Sequence, residues 1–229
     1  MKGVTAILLC GGKGERLRPY TDQYPKPLVP VLGKPLLFHL VTYLAAGGIE
    51  RFVFCVGYKA ELIRRFLTES FAGRGEQVCV DSGDASMTDR LLDARPHAPG
   101  PALICYGDTL ANVDLAELRR AHQQQGGLAT LTIYPMRSPF GLVAFDGQQR
   151  VTQFSEKPLL PYWINIGFLL CEPGALAQLR RGSDMPEFLE DLRAAGQLFV
   201  YPHRGSHVTI NTEKDRTLAE AQLIEMLTI

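Results

Sequence analysis

Short apolar runs alternate along the chain with longer segments whose apolar positions recur every three or four residues. The runs VTAILLC (4–10), FVFCVGY (52–58), QVCVD (77–81), ALICYGD (102–108) and LATLTIYP (128–135) are nearly continuous and rich in β-branched and aromatic residues, which is how strands buried on both faces read. Between them, PLLFHLVTYLAA (35–46), AELIRRFLTES (60–70), MTDRLLDA (87–94) and DLAELRRAHQQQ (114–125) have helical spacing. Pro35 falls in a first turn, where its missing N–H costs nothing, and Gly47-Gly48 stops that helix. The alternation predicts an α/β fold of three layers, α/β/α, with a mostly parallel sheet between helices.

After residue 140 the pattern changes. GLVAFDGQQRVTQFSEKP (141–158) holds two alternating runs around Asp146-Gly147, a β-hairpin signal. An apolar run at 164–171, helices near 173–180 and 185–195, a strand near 198–202 and a helix over 213–228 complete the chain. There are no repeats and no low-complexity linker, so the second part is expected to extend the same sheet and wall one side of a site. On such sheets ligands bind at the carboxyl ends of the strands, where the polar loops at 11–27, 82–89 and 108–112 should converge.

Composition narrows the functions. At 229 residues and 46% hydrophobic content the chain can bury one core. Its 24 basic and 24 acidic residues cancel, which argues against nucleic acid or an anionic membrane held by bulk charge. The five cysteines, at 10, 55, 79, 105 and 171, lie in or beside apolar runs without CxxC spacing. Together with the missing secretory leader they are expected to be core residues of a reduced, cytoplasmic chain. No apolar stretch approaches the ~20 residues of a membrane span. The sequence leaves monomer and homo-oligomer open.

An anion must therefore be held by local placement, and residues 8–35, LLCGGKGERLRPYTDQYPKPLVPVLGKP, supply the means. Gly12 and Gly14 fit two positions of a dinucleotide fingerprint, but Leu17 stands where its third glycine should be. No acidic residue occurs between Asp22 and Glu50, and Pro19, Pro25, Pro27 and Pro30 prevent a regular helix from following. A Walker loop is excluded because Pro35 follows Gly33-Lys34. Over 13–34, five cations less two anions leave a surplus of three on a neutral chain. Glycines allow close backbone approach, Arg16 can grip two oxygens, and prolines hold Lys26 in place: the parts of a polyphosphate clamp.

GGKGERLRPYT (11–21) and PKPLVPVLGKP (25–35) resemble the signature of the sugar-1-phosphate nucleotidylyltransferases. SGDASMTDRL (82–91), YGDTLANVDL (106–115), FGLVAFD (140–146), FSEKP (154–158), WINIGFLLCEP (163–173) and INTEKD (210–215) are similar to the glucose-1-phosphate cytidylyltransferase branch, in order along almost the whole chain. The resemblance implies a single domain with a Rossmann-like mixed sheet, its 1–135 half binding nucleotide and its 136–229 half, including a hairpin over the site, binding sugar phosphate. It implies that a sugar 1-phosphate attacks the α-phosphorus of a nucleoside triphosphate, CTP by preference, releasing pyrophosphate with Mg²⁺ as cofactor. Arg16 would bind the departing pyrophosphate, Lys26 would bridge the α-phosphate and its attacker, and Asp108 would hold the metal. Leu9, Gly11, Gly12, Lys13, Ser82, Gly83 and Thr88 would join them around the nucleotide. Gly141, Glu156, Lys157, Trp163, Asn165 and Gly167 would surround the sugar phosphate.

Taken alone, several of these residues have plainer roles. Asp108 could cap a turn, Lys157 could be a solvated hairpin lysine, and Trp163 could be core. The chain also departs from the pattern twice. Asn211 stands where the family has a second metal-binding aspartate, and hard Mg²⁺ prefers carboxylates, so metal affinity should fall unless Asp215 helps. Asp89 stands where the branch has glycines, so it must turn away or change nucleotide recognition. The apolar segment 159–167 leaves a non-sugar phosphorylated alcohol open as acceptor, and the two departures leave open a nucleotide-sugar-binding regulatory protein.

Overall fold

The computed structural model describes residues 1–227. β1 (Thr5–Leu9) runs into a loop built from single 3₁₀ turns at Glu15–Leu17 and Lys26–Leu28 around a one-turn α1 (Tyr20–Gln23), closed by the short strands β2 (Pro30–Val31) and β3 (Lys34–Pro35). The first half continues with α2 (Leu36–Ala46), β4 (Arg51–Val56), α3 (Ala60–Phe71), β5 (Glu76–Asp81), α4 (Met87–Ala94), β6 (Ala102–Tyr106), β7 (Thr109–Ala111), α5 (Leu115–Gln125) and β8 (Ala129–Arg137). The second half adds β9 (Leu142–Phe145), β10 (Val151–Ser155), β11 (Leu159–Cys171), α6 (Pro173–Leu176), α7 (Met185–Ala194), β12 (Leu198–Pro202), β13 (His207–Thr209) and α8 (Glu213–Leu227).

Seven strands form the central sheet in the order β12-β8-β11-β6-β1-β4-β5. β11 alone runs antiparallel to its neighbours, as the mixed sheet requires. Strand alternation sorts the core into two layers. Ala6, Leu8, Phe52, Phe54, Leu103 and Cys105 face α2, α3 and α5. Ile7, Val53, Cys55, Ala102 and Ile104 face α4, α6 and α7. Four of the five cysteines are fully buried and Cys79 is partly so; all are free thiols. The helices start on side-chain caps where sequence supplies them: Ser86 for α4, Asp114 for α5, and Asp184 with Glu187 in a capping box for α7.

Several boundaries differ from the sequence pattern. Pro35 is the residue before α2 and still belongs to β3, because its extended ψ of 142° suits a strand end. The segment 173–180 makes only one helical turn, and β11 is longer than its apolar run because its first half is exposed. The hairpin turn spans 146–150, not Asp146-Gly147 alone, with Asp146 Oδ1 accepting from the Gln148 and Arg150 N–H groups. β9 and β10 pair only with each other, and lie between β8 and β11 in the chain, at the sheet edge where the parallel strands end. Of the helix expected over 213–228, residue 228 lies outside the described residues. Among the described residues no helix is long and apolar enough to cross a membrane.

Candidate active site

The carboxyl end of β1 delivers Leu9 and Cys10 to the glycine loop. Gly14 takes a left-handed φ of 63°, and a Cβ there would stand 3.0 Å from the Lys26 Cβ. Only glycine therefore lets the two arms of the loop close, and Thr21 Oγ1 ties them by donating to the Gly14 carbonyl at 3.1 Å. Lys26 then reaches inward from its 3₁₀ turn. Its Nζ donates to Asp108 Oδ2 at 2.6 Å and to Asn211 Oδ1 at 3.0 Å, and Arg16 Nη2 donates to the same Asn211 oxygen at 3.0 Å. Residues far apart in sequence thus meet at one point.

Two strands absent from the sequence reading bring Asn211 there. β7 and β13 pair antiparallel, Thr109 opposite Thr209, and the Ile210 N–H donates to the Asp108 carbonyl at 3.0 Å. Asp215 lies close by but faces its own chain: Oδ2 accepts from the N–H groups of Asn211 at 3.0 Å and Thr212 at 2.9 Å, capping α8. The Asp215 Oδ2 is thus engaged with the backbone at the helix start. No group of three or more His, Cys, Asp or Glu side chains arranged for a metal occurs among the described residues.

A cavity of about 390 Å³ opens beside this cluster, lined by Leu9, Gly11, Gly12, Lys13, Lys26 and Asp108 together with Met87 and Tyr106. Arg16 and Asn211 line an adjoining hollow. At the mouth, Lys13 Nζ and Asp84 Oδ2 pair at 3.0 Å, both exposed, and the carboxylate raises the lysine pKa. Ser82, Gly83 and Thr88 do not line the cavity. The Ser82 hydroxyl donates to Asp93 at 2.7 Å, and Thr88 is fully buried with its hydroxyl on the Ser183 carbonyl. Asp89 turns away: its Oδ1 accepts from the Gly182 N–H at 2.8 Å.

Sequence reasoning missed Arg90. This guanidinium is 5% exposed and bonds only to carbonyls, those of Val56 and Gly83 at 2.6 Å, Ala85 at 3.1 Å and Gly11 at 3.4 Å. It ties the glycine loop, the end of β4 and the 82–86 loop into one floor. Gly11 and Gly57 make room for it, since a Cβ at either would fall within 3 Å of its nitrogens. The available signal was position: Arg90 sits four residues before Ala94 on the buried stripe of α4.

On the other side of Asp108, Tyr106 lies under Gly167. A Cβ at Gly167, whose φ is 75°, would stand 2.5 Å from the ring. Burial raises the Tyr106 pKa, opposed by a hydrogen bond to Asn165. Asn165 Oδ1 also accepts from the Gly167 N–H at 2.8 Å. Trp163 is 42% exposed, against its plainer reading as core. Glu156 and Lys157 are exposed, 3.8 Å from each other, with Gly141 packed against Glu156; none of the three lines the cavity. His207 packs against the Tyr134 ring, tilted by 45°, and burial, aided by nearby His203, lowers its pKa to about 4.

A glycine-proline loop at the carboxyl edge of a doubly covered sheet thus gathers Arg16, Lys26, Asp108 and Asn211 beside the cavity. The family pattern described as nucleotidyl transferase matches residues 5–197. The probable glucose-1-phosphate cytidylyltransferase of Bacillus subtilis (strain 168) is 32% identical, over 92% of this chain and 92% of its own length. The mannose-1-phosphate guanylyltransferase catalytic subunit beta of Danio rerio is 28% identical over 92% of this chain and 62% of its own. The crystal structure of HddC from Yersinia pseudotuberculosis superposes with a TM-score of 0.74 at 19% identity, covering 96% of this chain and 99% of the other. The chain belongs to the nucleotidyl transferase family. It is an enzyme of the sugar-1-phosphate nucleotidyltransferase kind.

Proposed function

We propose that the protein moves a nucleotidyl group from a nucleoside triphosphate, with CTP favoured, to a sugar 1-phosphate, releasing pyrophosphate. The observation that carries this is the meeting of Arg16, Lys26, Asp108 and Asn211 at the cavity wall. An oxygen of the sugar phosphate forms the new bond to the α-phosphorus as the bond to the β-phosphate breaks, and the reaction needs cations held in place beforehand. Lys26 is mostly buried and held in position from both sides, so it meets the α-phosphate by exchanging a partner and not by a large movement. Arg16, at the adjoining hollow, suits the departing pyrophosphate. Residues 1–135 supply this side, and residues 136–229 supply the acceptor side with Asn211. The 32% identity to a cytidylyltransferase supports CTP, and the identity to a guanylyltransferase makes GTP the comparison to run.

The residues fit Mg²⁺ only in part. Asp108 offers one carboxylate and Asn211 one amide oxygen, and Mg²⁺ commonly takes one or two carboxylates with substrate phosphates. Those two residues would hold the ion with the triphosphate, and it would supply charge neutralisation. The exposed apolar side chains of Leu159, Tyr162 and Trp163 favour a second reading, in which the phosphorylated acceptor is partly apolar. A matrix of four nucleoside triphosphates against several sugar 1-phosphates, read by pyrophosphate release with and without Mg²⁺, tests the proposal. Release with CTP that Asp108→Ala abolishes supports it. Nucleotide binding without release from any pair refutes it in favour of a regulatory protein.

A further inference from the structure

Arg204 is an exposed cation that the site described so far does not use. Its guanidinium carbon lies 5.4 Å from the centroid of the Trp163 ring, and among the described residues no carboxylate pairs with it. The turn that carries it is locked. His203 is buried, its N–H donates to the Ile133 carbonyl at 2.8 Å, and its ring meets the Ser206 carbonyl at 3.1 Å. Asn112 closes the other side, with Oδ1 accepting from the Ser206 N–H at 2.7 Å and its own N–H donating to the Ser206 carbonyl at 3.2 Å. A Cβ on Gly205 would stand 2.3 Å from Asn112 Oδ1, so glycine alone fits. Bracing of this kind fixes the backbone from which Arg204 springs, and its contact with the Trp163 ring restricts the guanidinium, so less freedom is lost when it meets an oxyanion.

Strand register sets where on a bound acceptor this cation falls. Asn165 and Trp163 are two residues apart on β11, opposite Ile133 and Pro135 of β8, and so share a face. Asn165 holds the Gly167 N–H at 2.8 Å, and Gly167 packs on Tyr106, which stands two residues before Asp108. By strand rise Trp163 lies about 7 Å farther out than Asn165, a distance comparable to the width of one sugar ring. For an acceptor whose phosphate is bound at Asp108, Arg204 would then stand toward the far end of the sugar.

We propose that Arg204, stacked on Trp163, recognises a second anionic group on the acceptor, a carboxylate or phosphate ester remote from its 1-phosphate. The inference rests on the transferase reading above and narrows its acceptor class. Trp163 is the single tryptophan of the chain, so its fluorescence reports acceptor binding without turnover. Wild type, Arg204→Gln and Arg204→Lys are titrated with glucose 1-phosphate, glucuronic acid 1-phosphate and glucose 1,6-bisphosphate, and pyrophosphate release is followed with the same compounds. In wild type one of the doubly anionic acceptors binds roughly tenfold or more tighter than glucose 1-phosphate. Arg204→Gln binds glucose 1-phosphate and the acceptors with a second anionic group alike, and Arg204→Lys falls between. The arm that wins separates carboxylate from phosphate. Equal binding of all three acceptors by wild type, or a preference that survives Arg204→Gln, overturns the inference. An Arg204-dependent preference without pyrophosphate release upholds it while removing the transferase reading.

Discussion

Replacing Arg90 by methionine tests whether the floor of the cavity is held as described. The change removes four hydrogen bonds to carbonyls, two of them at 2.6 Å. The Gly11 and Val56 carbonyls keep long backbone donors, from Tyr58 at 3.3 Å and Ser82 at 3.4 Å, so they are not fully orphaned. The loss then comes chiefly from the two short charge-assisted bonds, each worth about 1.5–3 kcal/mol. Methionine recovers part of that by burying its stem, which leaves about 3 kcal/mol, or roughly 10 °C in Tm for a chain of this size. Gly11→Ala attacks the same contact from the other side, since its Cβ would fall 2.0 Å from Arg90 Nη1. Urea unfolding of both single variants and the double variant is the assay. The double variant should lose at least about 1 kcal/mol less than the sum of the singles, because the clash needs the guanidinium. Costs that add within about 0.5 kcal/mol, or an Arg90→Met variant as stable as wild type, would refute the reasoning.

Other predictions follow from the site and the core. Asn211→Asp adds a carboxylate beside Asp108, and if both face the metal the Mg²⁺ concentration for half-maximal pyrophosphate release should fall roughly tenfold, a change of about 1.4 kcal/mol; an unchanged requirement would place the ion elsewhere. His207 is held neutral, with a folded pKa of about 4 below the unfolded value of 6.5, so stability is full above pH 6.5 and declines as pH falls toward 4. Between pH 7 and 5 urea unfolding should show a loss near 2 kcal/mol that His207→Gln removes; a wild-type decline that persists in the variant would exclude this residue as its source. Burial pushes Cys55 up to about 12 and Cys10, Cys105 and Cys171 well above the usual thiol range. At pH 8 a thiol reagent should therefore label no cysteine faster than Cys79, and all five only in denaturant.

The clamp was legible in the sequence because it is local. Glycines, prolines and cations within residues 11–35 fix their own geometry, and an apolar strand ending in Asp108 needs only the layered sheet to bring it near. The main strands and long helices were legible for the same reason: each carries its own period. What stayed hidden depends on distant partners. β7 and β13 are three residues each, too short to show alternation, yet their pairing carries Asn211 to Lys26. Asp215 looked like a spare acid until the start of α8 claimed it. Arg90 drew no notice because charge usually marks the exposed face of a helix, and only the folded loops show the carbonyls it gathers.

The cations of the cavity are occupied before any ligand arrives: Lys26 with Asp108, Lys13 with Asp84, Arg16 with Asn211. On a chain of zero formal net charge, little positive field then extends into solvent to draw a polyanion inward. Encounter with nucleotide should be ordinary diffusion, nearly insensitive to ionic strength in its on-rate. Selection should then come after arrival, by exchange of partners. A triphosphate of the right length can take Lys13, Arg16 and Lys26 together, while a shorter or misplaced anion breaks one pair and leaves a carboxylate uncompensated. Most charged metabolites should thus be turned away at no cost in speed for the one that fits.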